Sequence, residues 1–516
     1  MTKYFILMLL LILFVFSIGL INATIWYVHP DSSLNTIQAG LDSTSASDTV
    51  LVAPGTYSET IAWPSKTGIS LMSEFGPEVT VINAEGVGRV ITMAQYMTQT
   101  TMIDGFTIIN GWATGPSPDD YGGGIYCLNT ASTIRNNIIR NNSGYSRGGG
   151  IYCENSSPHI IGNIIMDNGT SGRGGGICCY DDADALISEN YFYNNSAENG
   201  GAIDCYIHSD ATIEYNQIEG NNATSGGGVF AGWSSNMYNA SSCPTIHHNN
   251  ISGNVTDGLY CNNFYCWVGA QNNWWGHTAG PDSGDTYHGK VNYDPWLRDE
   301  IIFDIVVISI ESLPDTIIPG STYIPKITVR NNCNHNYPVS FFTAKCTING
   351  DQDYIRINEH LPQDSTMEVV FTNWRVPSED STAYLIRVKV FYAVDAVATN
   401  DTISKQFIAQ HPTGIEDTEV RFSPSSFALF QNYPNPFNPT TQIEYQLAHN
   451  CYVNLIVYNI LGHKVKTLVE GFENKGHKTA YWNGTDEFGQ KVASGIYFYR
   501  LDAGESTQIK KMLLLK

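Results

Sequence analysis

The apolar positions between residues 121 and 261 recur at a fixed step. Gly122-Gly-Gly-Ile-Tyr-Cys127 returns at 148–153. It is followed by Gly174-Gly-Gly-Ile-Cys-Cys179, Gly200-Gly-Ala-Ile-Asp-Cys205 and Gly226-Gly-Gly-Val-Phe-Ala231, each 26 residues on. A looser copy, Asp257-Gly-Leu-Tyr-Cys261, follows a longer insert. A second motif runs between them: Ile134-Arg-Asn-Asn-Ile-Ile139, Ile161-Gly-Asn-Ile-Ile165, Ser188-Glu-Asn-Tyr-Phe192 and Glu214-Tyr-Asn-Gln-Ile218. The apolar runs are short and alternate with period 2, and none keeps helical spacing for ten residues. A period of this size means stacked supersecondary units. Each coil is predicted to hold two or three short strands. Consecutive coils pair in parallel, one strand spacing apart, and wind right-handedly.

The register separates inside from outside. Ile125, Ile151, Ile177, Ile203 and Val229 fall on one inward line, and Cys127, Cys153, Cys179, Cys205 and Ala231 on a second. The residues between them, Tyr126, Tyr152, Cys178, Asp204 and Phe230, are predicted to face outward. Asn137, Asn163, Asn190 and Asn216 nearly align at a bend, where amide side chains can bond to the coils on either side. The glycines are assigned to left-handed corners.

Upstream, a strand (Thr24-Ile-Trp-Tyr-Val28), a short helical pattern (34–41) and a strand ending in Pro54-Gly-Thr-Tyr57 follow one another. This order resembles the start of pectin-lyase-like β-helix proteins, in which a short helix covers the first coil. An open coil end exposes both core and strand edges, so it needs such a cap. Downstream, Asn272-Asn-Trp-Trp-Gly276, Gly280-Pro281 and Tyr293-Asp-Pro-Trp296 resemble the closing segment of secreted bacterial β-helix proteins. The adjacent tryptophans read as a cap; a sugar platform is the alternative.

Alternating strands separated by turn signals fill 301–410 and predict a β-sandwich of about seven strands. It resembles the immunoglobulin-like spacer modules of bacterial surface proteins. A polar linker (411–426) follows. The last segment contains Leu429-Phe-Gln-Asn-Tyr-Pro-Asn-Pro-Phe-Asn-Pro-Thr-Thr441, Val457-Tyr-Asn-Ile-Leu-Gly462 and Ala493-Ser-Gly-Ile-Tyr-Phe-Tyr-Arg-Leu501, and ends in Lys510-Lys-Met-Leu-Leu-Leu-Lys516. Over 427–516 it resembles the C-terminal sorting domain of the type IX secretion system. Asn483 stands where that family usually has Asp. The resemblance implies a Gram-negative bacterium of the Bacteroidetes or a related group, contact with the type IX machinery, and release or attachment at the outer cell surface. Residues 1–23, with Lys3 before an apolar run and Ala23 at its end, read as a secretory signal. The expected fold is therefore all-β: a right-handed parallel β-helix over 24–298, then two immunoglobulin-like β-sandwich domains.

A net charge of −22 excludes the basic footprint of a nucleic-acid binder. Of the 11 cysteines, those repeating in register read as packed thiols, while Cys333 and Cys346 are the better disulfide candidates. The sequons Asn168-Gly-Thr and Asn222-Ala-Thr read as by-products of Asn-rich turns.

Candidate chemistry follows from the scarcity of cations: no Lys occurs between Lys66 and Lys290. Arg135, Arg140, Arg147 and Arg173 gather in three coils, and Arg147 and Arg173 stack one coil apart. Stacked guanidinium groups need an anion or acids to balance them. Planar forks suit uronate carboxylates. The expected site is a groove for an acidic polysaccharide, gripped by Arg147 and Arg173. Tyr126, Tyr152, Tyr180, Tyr206 and Glu154 would contact the sugar. For catalysis, Arg147, Arg173, Asp181 and Asp204 are the candidates. A lyase would use calcium on Asp181, Asp182 and Asp204; a hydrolase would use two carboxylates. The competing reading pairs the arginines locally with acids. Gly200-Gly-Ala-Ile203 and Phe192-Tyr-Asn-Asn195 also resemble the repeats of polymorphic surface adhesins, which need no catalytic centre. The expected partners are an extracellular polysaccharide or a host or cell surface, and the chain is expected to act as a monomer.

Overall fold

A computed structural model describes residues 23–515 except 233–240, 264, 336, 378–381, 398, 411–426, 433 and 505. The signal reading of residues 1–22, the tip of the 232–245 insert and the linker lie outside the described residues. The chain divides into two compact units, 1–412 and 413–516.

The first unit begins as a β-solenoid of parallel coils. One sheet runs through 11 strands from Ile25–Val28 to Val291–Asn292. A second runs through 8 from Gly55–Ser58 to Asn250–Ser252, and a third through 9 from Ile61–Ala62 to Tyr287–His288. Five central coils add a short fourth face, from Trp112–Ala113 to Asn222–Ser225. The 26-residue step is the pairing register: Ile125 lies against Ile151, Ile177 and Ile203 in turn, and Cys127 against Cys153, Cys179 and Cys205. Both lines face inward and are fully buried in one continuous core.

Two Asn ladders hold the corners. Asn163 Oδ1 accepts from the backbone N–H and the Nδ2 of Asn137 at 3.0 and 3.1 Å, and its own Nδ2 donates to Ile134 O at 2.9 Å. This column continues through Asn190, Asn216 and Asn249 to Asn273. The second ladder, absent from the sequence reading, is Asn142, Asn168, Asn195, Asn221 and Asn254. It ends on the Asp285 carboxylate, which accepts both donors of Asn254 at 3.0 and 2.7 Å. Asn168 is thus a buried ladder member rather than an accessible sequon.

The glycine triplets have two distinct causes. The first of each, such as Gly174 at φ 66°, is left-handed. The next, Gly175, has no room for a side chain: a Cβ there would lie 2.5–2.7 Å from the backbone of Gly201 and Ser196. The fourth face presses against the glycine corner too closely for any other residue.

Both ends are closed. The helix Ile37–Ser43 covers the first coil with Ile37 and Leu41 buried. Thr36 caps its N-terminus, and Glu59 accepts the N–H groups of Ile37 and Gln38 at 2.7 and 2.9 Å. At the other end Trp275 is fully buried in the solenoid core, and Trp296 and Tyr293 pack beside it, so Trp275 is a cap.

The strands from Ile305–Glu311 to Thr402–Ala409 form mainly antiparallel sheets, with Thr316–Ile317 added in parallel, around a second core, consistent with a β-sandwich. A spacer would stand clear of the solenoid. This domain lies against it instead. Asp104, fully buried on the solenoid, accepts from Arg135 Nε at 3.0 Å and from Arg356 Nε of the sandwich at 3.1 Å. The Tyr354 ring packs directly on Gly76, where a Cβ would lie 2.8 Å from it. Lys389 pairs with Glu78 at 2.6 Å. Glu189 leaves a solenoid bend and is buried against Ser340, Tyr337 and Tyr392. Cys333 and Cys346 are buried free thiols; the disulfide joins Cys243 and Cys266 instead.

The second unit consists of a three-stranded sheet, Ala428–Leu429, Thr441–Leu447 and Gly476–Trp482, and a four-stranded sheet including Cys451–Asn459 and Gly495–Ala503. Trp482, Tyr499 and Phe437 fill its core.

Candidate functional site

The third sheet brings the predicted arginines and tyrosines together, but as a closed layer. Tyr126, Tyr152, Cys178, Asp204 and Phe230 form one outward column, and Glu154, Tyr180 and Tyr206 lie in the next. Arg147 and Arg173 are in direct register, as their spacing requires. Their side chains fold across the sheet. The Arg147 guanidinium sits 3.8 Å from the centre of the Tyr180 ring and 4.8 Å from Tyr121. Arg173 lies 3.7 Å from Tyr206 and 5.3 Å from Phe230, and Arg89 covers Tyr126 at 4.1 Å. Rings and guanidinium groups cover one another, and Tyr152 OH donates to Glu154 at 3.0 Å.

This arrangement corrects the expected exposure. Tyr126, Tyr152, Cys178, Asp204 and Phe230 point away from the solenoid axis yet are buried. A period-2 pattern gives direction, not cover, and long arginines from neighbouring corners supply the cover. Tyr180, Tyr206, Glu154, Arg147 and Arg173 remain half-buried. Asp204 is 0% exposed, and Arg173 Nη1 donates to its Oδ2 at 3.0 Å. Burial outweighs that partner and pushes the carboxyl up to about 7. The carboxyl is thus enclosed beneath Arg173 and does not face solvent.

The three acids predicted to share a metal do not converge. Asp181 and Asp182, both at positive φ in a corner, approach His208 rather than Asp204. Asp182 Oδ1 lies 4.0 Å from His208 Nδ1. Arg135 is committed to Asp104, and Arg140 lies half-buried on the second sheet.

An open polar trough lies at the start of the fourth face. Its volume is about 440 Å³, and its walls are Asn83, Glu85, Gly86, Asn110, Gly111, Trp112 and Asn141. Trp112 is 56% exposed. The coils explain why. Trp112 is paired in register with Ser143, which is followed by Gly169 and Ser196, all too small to cover an indole. Glu85, Asn110 and Asn141 each turn the chain at φ 52–57°. Asn110 Nδ2 donates to Asn83 Oδ1 at 3.0 Å, which fixes the amides of adjacent coils side by side. Glu85 is the one charged residue in the lining. The sequence reading passed over these residues because all but Asn141 precede the regular repeats. The available signal was a lone Trp after an Asn-Gly corner.

Residues 35–173 and 123–280 match the family model of the right handed beta helix region, and 431–515 match that of the secretion system C-terminal sorting domain. No curated protein matches the chain. Among solved structures, a CARDB domain from Pyrococcus furiosus in complex with di-metal ions is 18% identical over 21% of this chain and 94% of its own, with a TM-score of 0.18. Dimeric latent PorU from Porphyromonas gingivalis is 14% identical over 45% of this chain and 22% of its own (TM-score 0.17). A β-glucuronidase from Parabacteroides merdae is 10% identical over 42% and 24% (TM-score 0.15). Likenesses at these scores carry no argument. The solenoid and the tail together make this a right-handed β-helix protein with a secretion-system sorting domain, secreted or displayed on the cell surface through type IX secretion.

Proposed function

We propose that this secreted β-helix protein binds an extracellular polysaccharide in the Trp112 trough and holds it without cleaving it. The observation that carries this reading is the exposed indole beside amides from stacked coils. A sugar ring presents an apolar face to an aromatic plane, and its hydroxyls pair with side-chain amides. The lining holds no Lys or Arg, which favours a neutral glycan over a uronate polymer. The small residues that follow Trp112 leave a smooth face along which a chain of sugars can lie. Retention rather than turnover is favoured because Asp204, the acid paired with Arg173, is enclosed. Surface display through the sorting tail would make such binding an attachment to glycan outside the cell.

The test is titration calorimetry of the full chain against neutral and acidic polysaccharides. Trp112→Ala is expected to weaken binding at least tenfold, about 1.4 kcal/mol, with Arg173→Lys near wild type. Equal affinity of Trp112→Ala and wild type for every ligand bound would overturn the assignment.

A further inference from the structure

We propose that the sandwich carries a divalent-cation site, suited to calcium, built from the carboxylates of Asp304, Asp395 and Asp401. Each offers an oxygen, and these oxygens lie within 4.8 Å of one another. The three residues come from two places in the chain: the entry to the strand Ile305–Glu311, and the turn between Thr382–Phe391 and Thr402–Ala409.

An independent observation points to a ligand. Asp401 is 6% exposed, and its Oδ1 is buried with no hydrogen-bond partner. The neighbouring Asn400 Oδ1 is likewise buried without a donor. Asp395 and Asp401 also face each other carboxyl to carboxyl, and the remaining contacts of the trio come from neutral donors. Asn400 Nδ2 reaches Asp304 Oδ1 and Oδ2 at 3.0 and 3.2 Å, and Asn332 Nδ2 reaches Oδ2 at 2.6 Å. The N–H groups of Ile305 and Val397 donate to Asp395 at 3.1 and 2.8 Å. Lys389, the cation whose field reaches Asp401, is committed to Glu78 at 2.6 Å. Three carboxylates this close repel unless a cation or a shared proton intervenes. Hard carboxylate oxygens are the ligand type calcium takes.

The placement gives the ion a task. Asp304 follows Ile301, whose N–H and C=O are held by Asn250 of the solenoid at 2.9 and 2.7 Å, and Ala396 N–H donates to Phe303 O at 2.8 Å. An ion there would tie Asp395 and Asp401 to Asp304 at the root of the sandwich, beside its junction with the solenoid. Extracellular calcium near 1 mM suits such a module.

The test uses the full chain, freed of metal with a chelator, with calcium chloride and magnesium chloride as probes. Equilibrium dialysis is expected to show saturable calcium binding below about 1 mM, and the melting temperature is expected to rise by several degrees at saturation. Asp401→Asn and Asp304→Asn, each checked for native circular dichroism, are expected to weaken binding at least tenfold. Asp182→Asn, in the exposed corner near His208, should bind as wild type. Three outcomes would overturn the site: no binding of either ion at 1 mM or above; binding that survives both folded sandwich variants; or binding lost only in Asp182→Asn. If one sandwich variant fails to fold, the other decides.

Discussion

Asp204 faces away from the solenoid axis and is nonetheless fully buried. Its place between the two inward lines, flanked by Ile203 and Cys205, follows from the period. Its burial depends on Arg173 arriving from another corner, and spacing along one strand carries no trace of that. The consequence is measurable. A carboxyl held up to about 7, against an ordinary value near 3.8, keeps in the folded state a proton that the unfolded chain releases. The Asp204 contribution to stability is therefore greatest below pH 4, falls as pH rises through 4–7, and is level above. Asp204→Asn keeps a polar partner for Arg173 but does not titrate. Urea melts should show wild type losing on the order of 2–4 kcal/mol relative to this variant across that window. A pH-independent difference would mean that the carboxyl ionises normally. Glu189 shares the feature: burial raises it despite the Ser340 hydroxyl that donates to it.

The coil was the most legible element. A 26-residue step, inward Ile and Cys lines and a corner Asn column specify strand, register and bend, because stacked coils repeat the same local solution. The second Asn ladder was equally regular but hidden, since Asn-Asn and Asp-Asn pairs in turns look like ordinary loop composition. Apart from the terminal Asn254, which is half-buried, each rung is buried and carries several bonds. Asn190 Nδ2 donates to Ile160 O and Ser188 O at 2.8 and 2.9 Å, and its Oδ1 accepts from Asn163 twice. Asn190→Ala leaves those groups unpaired and is expected to cost about 2–3 kcal/mol. The exposed Asn222→Ala should cost less than about 0.5 kcal/mol. Denaturant midpoints of the two variants measure the contrast, and equal midpoints would deny the ladder its structural role.

At the scale of the molecule, the ends of the solenoid and the identity of the tail were readable because caps and sorting motifs are local in sequence. The docking of the sandwich was not. Several of its contacts join residues more than 200 positions apart, such as Asp104 with Arg356 and Asn136 with Tyr354, and on the sandwich side neither Arg356 nor Tyr354 lies in a motif. Arg356→Ala removes one of two guanidinium partners from a fully buried carboxylate and is expected to destabilise the first unit by about 2 kcal/mol. Limited proteolysis should then release the sandwich from the solenoid faster than in wild type. The Trp112 trough escaped for a related reason: adjacent coils create it, and the smallness of Ser143 and Gly169 matters more than any residue of recognised chemistry. The most direct measurement is hydrogen exchange of the full chain with and without a bound neutral glycan. Protection confined to peptides covering 83–88, 110–114 and 141–145 is the predicted result. Protection over 147–154 and 173–182 instead, with the trough unchanged, would contradict the account and return the ligand to the arginine-tyrosine layer.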